Sequence, residues 1–312
     1  MNTALRITAF TTGLAAAFGL ALGVGHATGT GTGTAVTRPA AHAGHDAGGG
    51  PADPDRLPGG LQVSERGYTL SLDQPFVTAG SPTDLRFRIL GTDGKPVTAY
   101  QQQHEKELHL IVAPRDLSTF QHLHPVLAAD GTWSAPTALP AAGEYRVFAD
   151  FTPAGASEGL TLGADLHAAG DLRPARLPDT GRTATVDGYA VTLGGDLTPG
   201  RSSHLTLDVS KDGAPVTDLQ PYLGAYGHLV ALRAGDLAYL HVHPDTTTPG
   251  PGIGFTTTAP SGGSYRLFLD FRHQGTVRTA AFTVTADGSA APAPAATTAT
   301  TATQEPAAGH QH

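Results

Sequence analysis

Apolar and polar residues alternate with a period of two through most of the middle of this chain. Leu85, Phe87 and Ile89 are interleaved with Arg86 and Arg88, and Leu205, Leu207 and Val209 with Thr206 and Asp208. The same rhythm runs through Tyr145, Val147, Ala149 and Phe151. Successive side chains of a strand point to opposite faces, so each run predicts a strand with one buried face. Asp93-Gly94, Asp130-Gly131, Asp187-Gly188 and Asp212-Gly213 punctuate these runs as turns. No long stretch carries the 3.6-residue period of an amphipathic helix, which makes the expected fold class all-β.

Laid on itself at an offset of 119 to 121 residues, the chain repeats. Gly67-Tyr68 matches Gly188-Tyr189, Asp93-Gly94-Lys95-Pro96 matches Asp212-Gly213-Ala214-Pro215, and the segment from Tyr145 to Phe151 matches that from Tyr265 to Phe271. The expected units are 61–170 and 182–286, joined by a linker at 171–181. A unit of about 105 residues made of short strands suggests an immunoglobulin-like sandwich, large enough to bury its own core.

The flanks differ in composition. Residues 28–60 are rich in Gly, Thr and Ala and contain His42 and His45, and residues 287–312 form an Ala/Thr/Pro tail ending in His310 and His312. Both lack the apolar surface to offset ordering entropy and are expected to be disordered. Residues 1–27 carry one positive charge, Arg6, and then an uncharged apolar stretch from Ile7 to Gly25. That pattern reads as an export signal or an uncleaved hydrophobic anchor helix, and it predicts an extracytoplasmic protein that meets a membrane only through this segment.

Charge and sulfur narrow the chemistry. The formal net charge is −8, with only three lysines and no basic run, which argues against a nucleic-acid partner. The chain has no Cys and no Met beyond Met1. Disulfides and soft sulfur ligands are therefore excluded, and with them a thiolate or thioether Cu(I) site.

Histidine is the residue type that stands out. His122-Leu123-His124-Pro125 and His241-Val242-His243-Pro244 repeat one frame, and each has a further histidine thirteen residues upstream, His109 and His228. Two imidazoles at i and i+2 on a strand share a face. With a two-residue loop at Arg115-Asp116, His109 falls directly opposite His122, and with one at Ala234-Gly235 His228 falls opposite His241. Opposed Cβ atoms lie about 4.5–5.5 Å apart, so three ring nitrogens can converge on one ion at about 2 Å. The expected metal ligands are thus His109, His122 and His124 in one unit and His228, His241 and His243 in the other.

Other positions are weaker candidates. His104 has Leu223 as its repeat counterpart and is at most an extra ligand of the first unit. Asp150 and Asp270 recur at equivalent places, where a carboxylate can orient a ligand imidazole by accepting its second N–H. His167 and His273 lack histidine counterparts and default to structure, and His204, which aligns with Asp84 on the polar face of a strand, is expected to be solvated. The hairpin face that bears the histidines also bears Ile111 and Phe120, or Val230 and Tyr239, which sets the sites at the rim of a core. Neither a nucleophile elbow, nor a phosphate-binding glycine loop, nor a His-Glu-x-x-His helix occurs. An enzyme would have to work through the metal.

The blocks around Leu108 to Val112 and Phe120 to Pro125, and around Tyr222 to Val230 and Tyr239 to Pro244, resemble a group of actinobacterial secreted or membrane-anchored proteins, described only as secreted or heavy-metal-associated. More loosely, an exported β-sandwich with histidine ligands is similar to the CopC-like and YtkA-like periplasmic copper-binding proteins, from which this chain departs in having no internal Met. The resemblance implies a metal-handling class. The reading that follows is an extracytoplasmic protein that sequesters or delivers Cu(II), or failing that zinc, through one three-histidine site per domain, with another extracytoplasmic metal-handling protein as its expected partner. The alternatives are a cell-surface interaction or adhesion module with structural histidines and, third, a metal-dependent enzyme.

Overall fold

A computed structural model describes residues 57–240, 242–245 and 248–287, with the backbone alone of His243. The expected leader, residues 28–56 of the His-bearing linker and residues 288–312 of the tail, along with His241 and the side chain of His243, lie outside the described residues. The end of the linker, expected to be disordered, is instead bonded to the sandwiches, with Gly60 N–H donating to the Thr161 carbonyl and the Gly59 carbonyl accepting from Tyr239. Among the described residues no helix is long and apolar enough to cross a membrane.

Every regular element among the described residues is a strand, and the strands form two tandem immunoglobulin-like β-sandwiches within one compact unit. In the first, one sheet runs Ser64–Glu65, Tyr68–Leu72, Pro82–Leu90, Trp133–Ala138 and Val126–Leu127. The facing sheet runs Phe76–Thr78, Leu160–Ala169, Gly143–Pro153, Leu108–Pro114 and Gln121–Leu123, with Phe76–Thr78 parallel to its neighbour. The second sandwich repeats the plan: Tyr189–Gly194, Ser202–Lys211 and Gly252–Thr258 lie at the centre of one sheet, and Gly227–Arg233 and Gly263–His273 at the centre of the other. Each repeat also carries a tyrosine corner. The Tyr145 hydroxyl donates to the Ala141 carbonyl at 2.9 Å, and Tyr265 to Ser261 at 2.7 Å.

The alternation in the sequence translates directly into burial. Leu85, Phe87 and Ile89 are sealed in the first core with Trp133, Tyr145 and Phe151, and Leu205, Leu207 and Val209 in the second with Phe255, Phe271 and Phe282. Each fully buried side chain of this size contributes about 1.5–3 kcal/mol relative to exposure.

Leu108–Pro114 behaves differently, because all seven of its residues are buried. Leu108, Leu110 and Val112 face the first core, whereas Ile111 and Ala113 join a third cluster with Leu117 and Phe148 of the first repeat and Val230, Leu232, Leu237, Tyr239 and Phe268 of the second. This third core is the interface between the sandwiches, and its members are repeat equivalents: Ile111 with Val230, Ala113 with Leu232, Phe148 with Phe268. Phe120 stacks on Phe268 with centroids 4.5 Å apart, and the equivalent pair, Tyr239 and Phe148, sits at 5.6 Å. The two repeats therefore pack like a homodimer about a pseudo-two-fold axis, each offering the same patch. The doubly apolar hairpin face of the sequence is this interface.

The expected hairpin register is corrected. Ile111, not His109, pairs with His122, and Leu110 pairs with Leu123; in the second repeat Ala231 pairs with Leu240. The loops are longer than two residues because Leu117 and Leu237 enter them at positive φ (55° and 62°) and turn into the interface, while Asp116 and Asp236 accept the backbone N–H two residues on. The shift is two residues, and a strand has period two, so His109 and His122 keep the same face.

Candidate metal centre

The His-x-His-Pro motif of the first repeat marks where the chain leaves one sheet for the other. Gln121–Leu123 still pairs with Leu108–Pro114, and Val126–Leu127 already pairs with Trp133–Ala138. Pro125 has no N–H to donate and suits the gap. His124, in that gap, is thus brought back over His109.

His109, His122 and His124 each offer a nitrogen within 4.8 Å of the other two. Their ring centroids lie 5.3, 5.2 and 4.7 Å apart. Two hydrogen bonds decide which nitrogens are bare. His109 Nε2 sits 3.0 Å from the Gln103 carbonyl, and His122 Nδ1 sits 3.0 Å from Asp270 Oδ2. A carbonyl and a carboxylate only accept, so both nitrogens carry the proton. His109 Nδ1 and His122 Nε2 then face each other at 3.0 Å as two lone pairs. Two acceptors cannot bond one another. Something positive, an added proton or a metal ion, belongs between them. His124 Nε2 completes the picture as a buried nitrogen with no partner.

The electrostatics favour neutral rings. Burial pushes the His124 imidazole down to about 3 and that of His228 down to about 4, with repulsion from His122 among the lesser causes in both. His109 is lowered mainly by burial, against the raising effect of its bond to Gln103. Neutral imidazole is the form that ligates metals.

Asp270 binds as an outer carboxylate, but to the histidine of the other repeat. Its Oδ1 accepts from Thr279 at 2.5 Å and its Oδ2 from His122, and it is 4% exposed. Asp150, its counterpart, accepts from Thr161 at 3.1 Å and lies beside His109 in the ladder. His228 donates Nε2–H to the Tyr222 carbonyl at 2.7 Å, as its counterpart His109 does to Gln103. Its ring lies 6.4 Å from that of His109, and the His104 ring lies 5.3 Å from that of His228. A cavity of about 360 Å³ opens among His104, His109, His122, His228 and Asp150.

His167, His204 and His273 lie apart from this cluster. His273 is buried between the Tyr189 hydroxyl (2.8 Å) and Asp218 (3.0 Å), His204 pairs with exposed Asp245, and His167 pairs with Glu144 and stacks on Phe76. No side-chain pattern announces the carbonyls of Gln103 and Tyr222, and none announces the crossing of Asp270 to the other repeat's histidine.

A family described as "Domain of unknown function (DUF8832)" matches residues 62–165 and again 184–288, more than half of the chain. The chain belongs to this family. No curated protein matches the sequence. Among solved structures, the Escherichia coli adhesin FdeC is 18% identical over 72% of this chain and 65% of its own, with a TM-score of 0.23. The D0-D1 domain of intimin is 12% identical over 69% and 96%, at 0.20. Invasin, a bacterial integrin-binding protein, is 14% identical over 70% and 39%, at 0.22. The chain thus spans less than two thirds of the length of FdeC and of invasin.

Proposed function

We propose that this protein binds a metal ion through His109, His122 and His124 and serves to sequester or deliver it outside the cytoplasm. The observation that carries this is the convergence of three imidazoles, with nitrogens of two of them 3.0 Å apart and Nε2 of the third buried without a partner. Nitrogens held at about 2.0–2.1 Å from an ion are about 2.9 Å apart at right angles and about 3.3 Å apart at tetrahedral angles, so the 3.0 Å pair is spaced for ligation. An all-imidazole set without sulfur suits Cu(II) first and zinc second, as affinities of such sites rise toward copper. The apolar segment from Ile7 to Gly25 supports export or anchoring at the membrane.

The competing reading is a surface interaction module whose histidines merely tie the sandwiches together. It is favoured by the bonds that His109, His122 and His228 already make to protein acceptors. Copper titration of the tag-free chain against a competing chelator separates the two. Tight binding that disappears in the His109→Ala, His122→Ala, His124→Ala triple variant, with the β-sheet spectrum retained, supports the metal site. Absence of tight binding in the wild type would sink it and leave the interaction module.

A further inference from the structure

The two repeats are alike in more than sequence at this point. His109 and His228 occupy equivalent strand positions, each opposite an aspartate in the ladder, Asp150 and Asp270. Each donates Nε2–H to the carbonyl of an equivalent tight turn, at Gln103 or Tyr222, and so leaves Nδ1 bare. The pseudo-two-fold interface thus presents an equivalent ring from each repeat, with the same nitrogen bare, to one place.

Ring spacing separates the ligands into two groups. A ring ligated at about 2.0–2.1 Å has its centroid about 3.2 Å from the ion, so two such rings lie about 4.5 Å apart at right angles, about 5.2 Å at tetrahedral angles and about 6.4 Å when trans. The triad at 4.7–5.3 Å fits one ion. His228, at 6.4 Å from His109 and 6.0 Å from His122, would have to lie opposite both, which two rings set at a roughly tetrahedral angle about one ion forbid. His104 lies 6.2 Å from His109 but 5.3 Å from His228, a spacing that suits shared ligation.

We infer that the centre is binuclear: a second divalent ion, Cu(II) or zinc, sits between His228 and His104 in the cavity at the sandwich interface, next to the ion of the first triad. This rests on the metal-binding reading and extends it. Asp150 lines the same cavity and supplies a hard oxygen. His104 occupies the first central position of the Gln103–Lys106 turn at φ 49°, as Leu223 does at 51° in the equivalent Tyr222–Ala225 turn, and the turn holds its ring beside that of His228. The two ions would join the sandwiches, since each draws on residues of both: His122 leans on Asp270, and His104 reaches His228.

Cu(II) titration of the tag-free protein, followed by metal analysis after chelator washing and by electron paramagnetic resonance, tests this. Two tight equivalents are expected, with the second broadening or removing the signal of the first through spin coupling. His228→Ala should retain one equivalent and an undiminished mononuclear signal, and His104→Ala, at an exposed turn, should weaken the second equivalent at least 10-fold with the β-sheet spectrum retained. A single tight equivalent in the wild type, or two with simply additive signals, overturns the binuclear centre and leaves the triad intact. No tight copper at all overturns the metal-binding reading itself.

Discussion

Asp270, a residue of the second sandwich, accepts a hydrogen bond from Nδ1–H of His122, a residue of the first, at 3.0 Å with both side chains almost wholly buried. This one bond sets the tautomer of His122, aims its Nε2 at His109, and makes the geometry of the first repeat's site depend on the position of the second repeat.

Asp270→Asn should therefore weaken copper binding about 10- to 100-fold, the usual effect of losing a carboxylate that orients a ligand histidine. The copper electronic spectrum should shift as well, because the His122 ring loses its fixed orientation. Thr279→Ala, which removes only the other bond of Asp270, should have a much smaller effect. Equal affinities for wild type and Asp270→Asn in a chelator competition would show that Asp270 does not position the ligand.

The stacked pair of Phe120 and Phe268 lies in the interface core and not in either sandwich core. Phe268→Ala should cost about 3–5 kcal/mol at that interface. Calorimetry should show the melting transition broadening or splitting as the sandwiches uncouple, and copper affinity should fall with it. A single unchanged transition would mean the interface contributes little.

Buried neutral histidines give the metal-free protein a pH-dependent stability. His228 stays neutral in the folded state down to about 4, and His109 is likewise lowered by burial, while in the unfolded chain each titrates near 6.5. The unfolded chain then binds more protons as pH falls, so stability is full above about 6.5 and is lost as pH drops toward 4, with each such group steepening the slope by up to about 1.4 kcal/mol per pH unit. Urea denaturation between pH 7 and 4.5 measures this, and the slope should flatten in His228→Ala. Stability that stays level over that range would contradict it.

Tyr145→Phe and Tyr265→Phe remove equivalent tyrosine-corner bonds far from the histidines. Each should lower stability by about 1 kcal/mol by chemical denaturation and leave copper affinity unchanged. A loss of affinity would show that the end of the long strand, and not only its middle, governs the site.

The triad was legible from residues alone because side-chain direction along a strand has period two: a register wrong by two residues still put His109 and His122 on one face. Turn length was not legible, since Leu117 and Leu237 enter the loops to fill an interface that local sequence does not reveal. His104 looked marginal because its repeat counterpart is Leu223. It matters in the structure because the neighbour across the interface is His228, and not any residue of its own hairpin.

By itself the sequence determined the all-β class, the duplication, the repeated histidine frame and the absence of sulfur ligands, because these follow from periodicity and composition. Only the tertiary structure decided that the two histidine-bearing faces meet. Each face is a strand surface too apolar to leave in water, at Ile111 and Phe120 or at Val230 and Tyr239, and the partner that best covers such a surface is its own repeat. Burying both patches together carries the histidines of the two sandwiches into one cavity, where ligand, tautomer and charge are set across the interface.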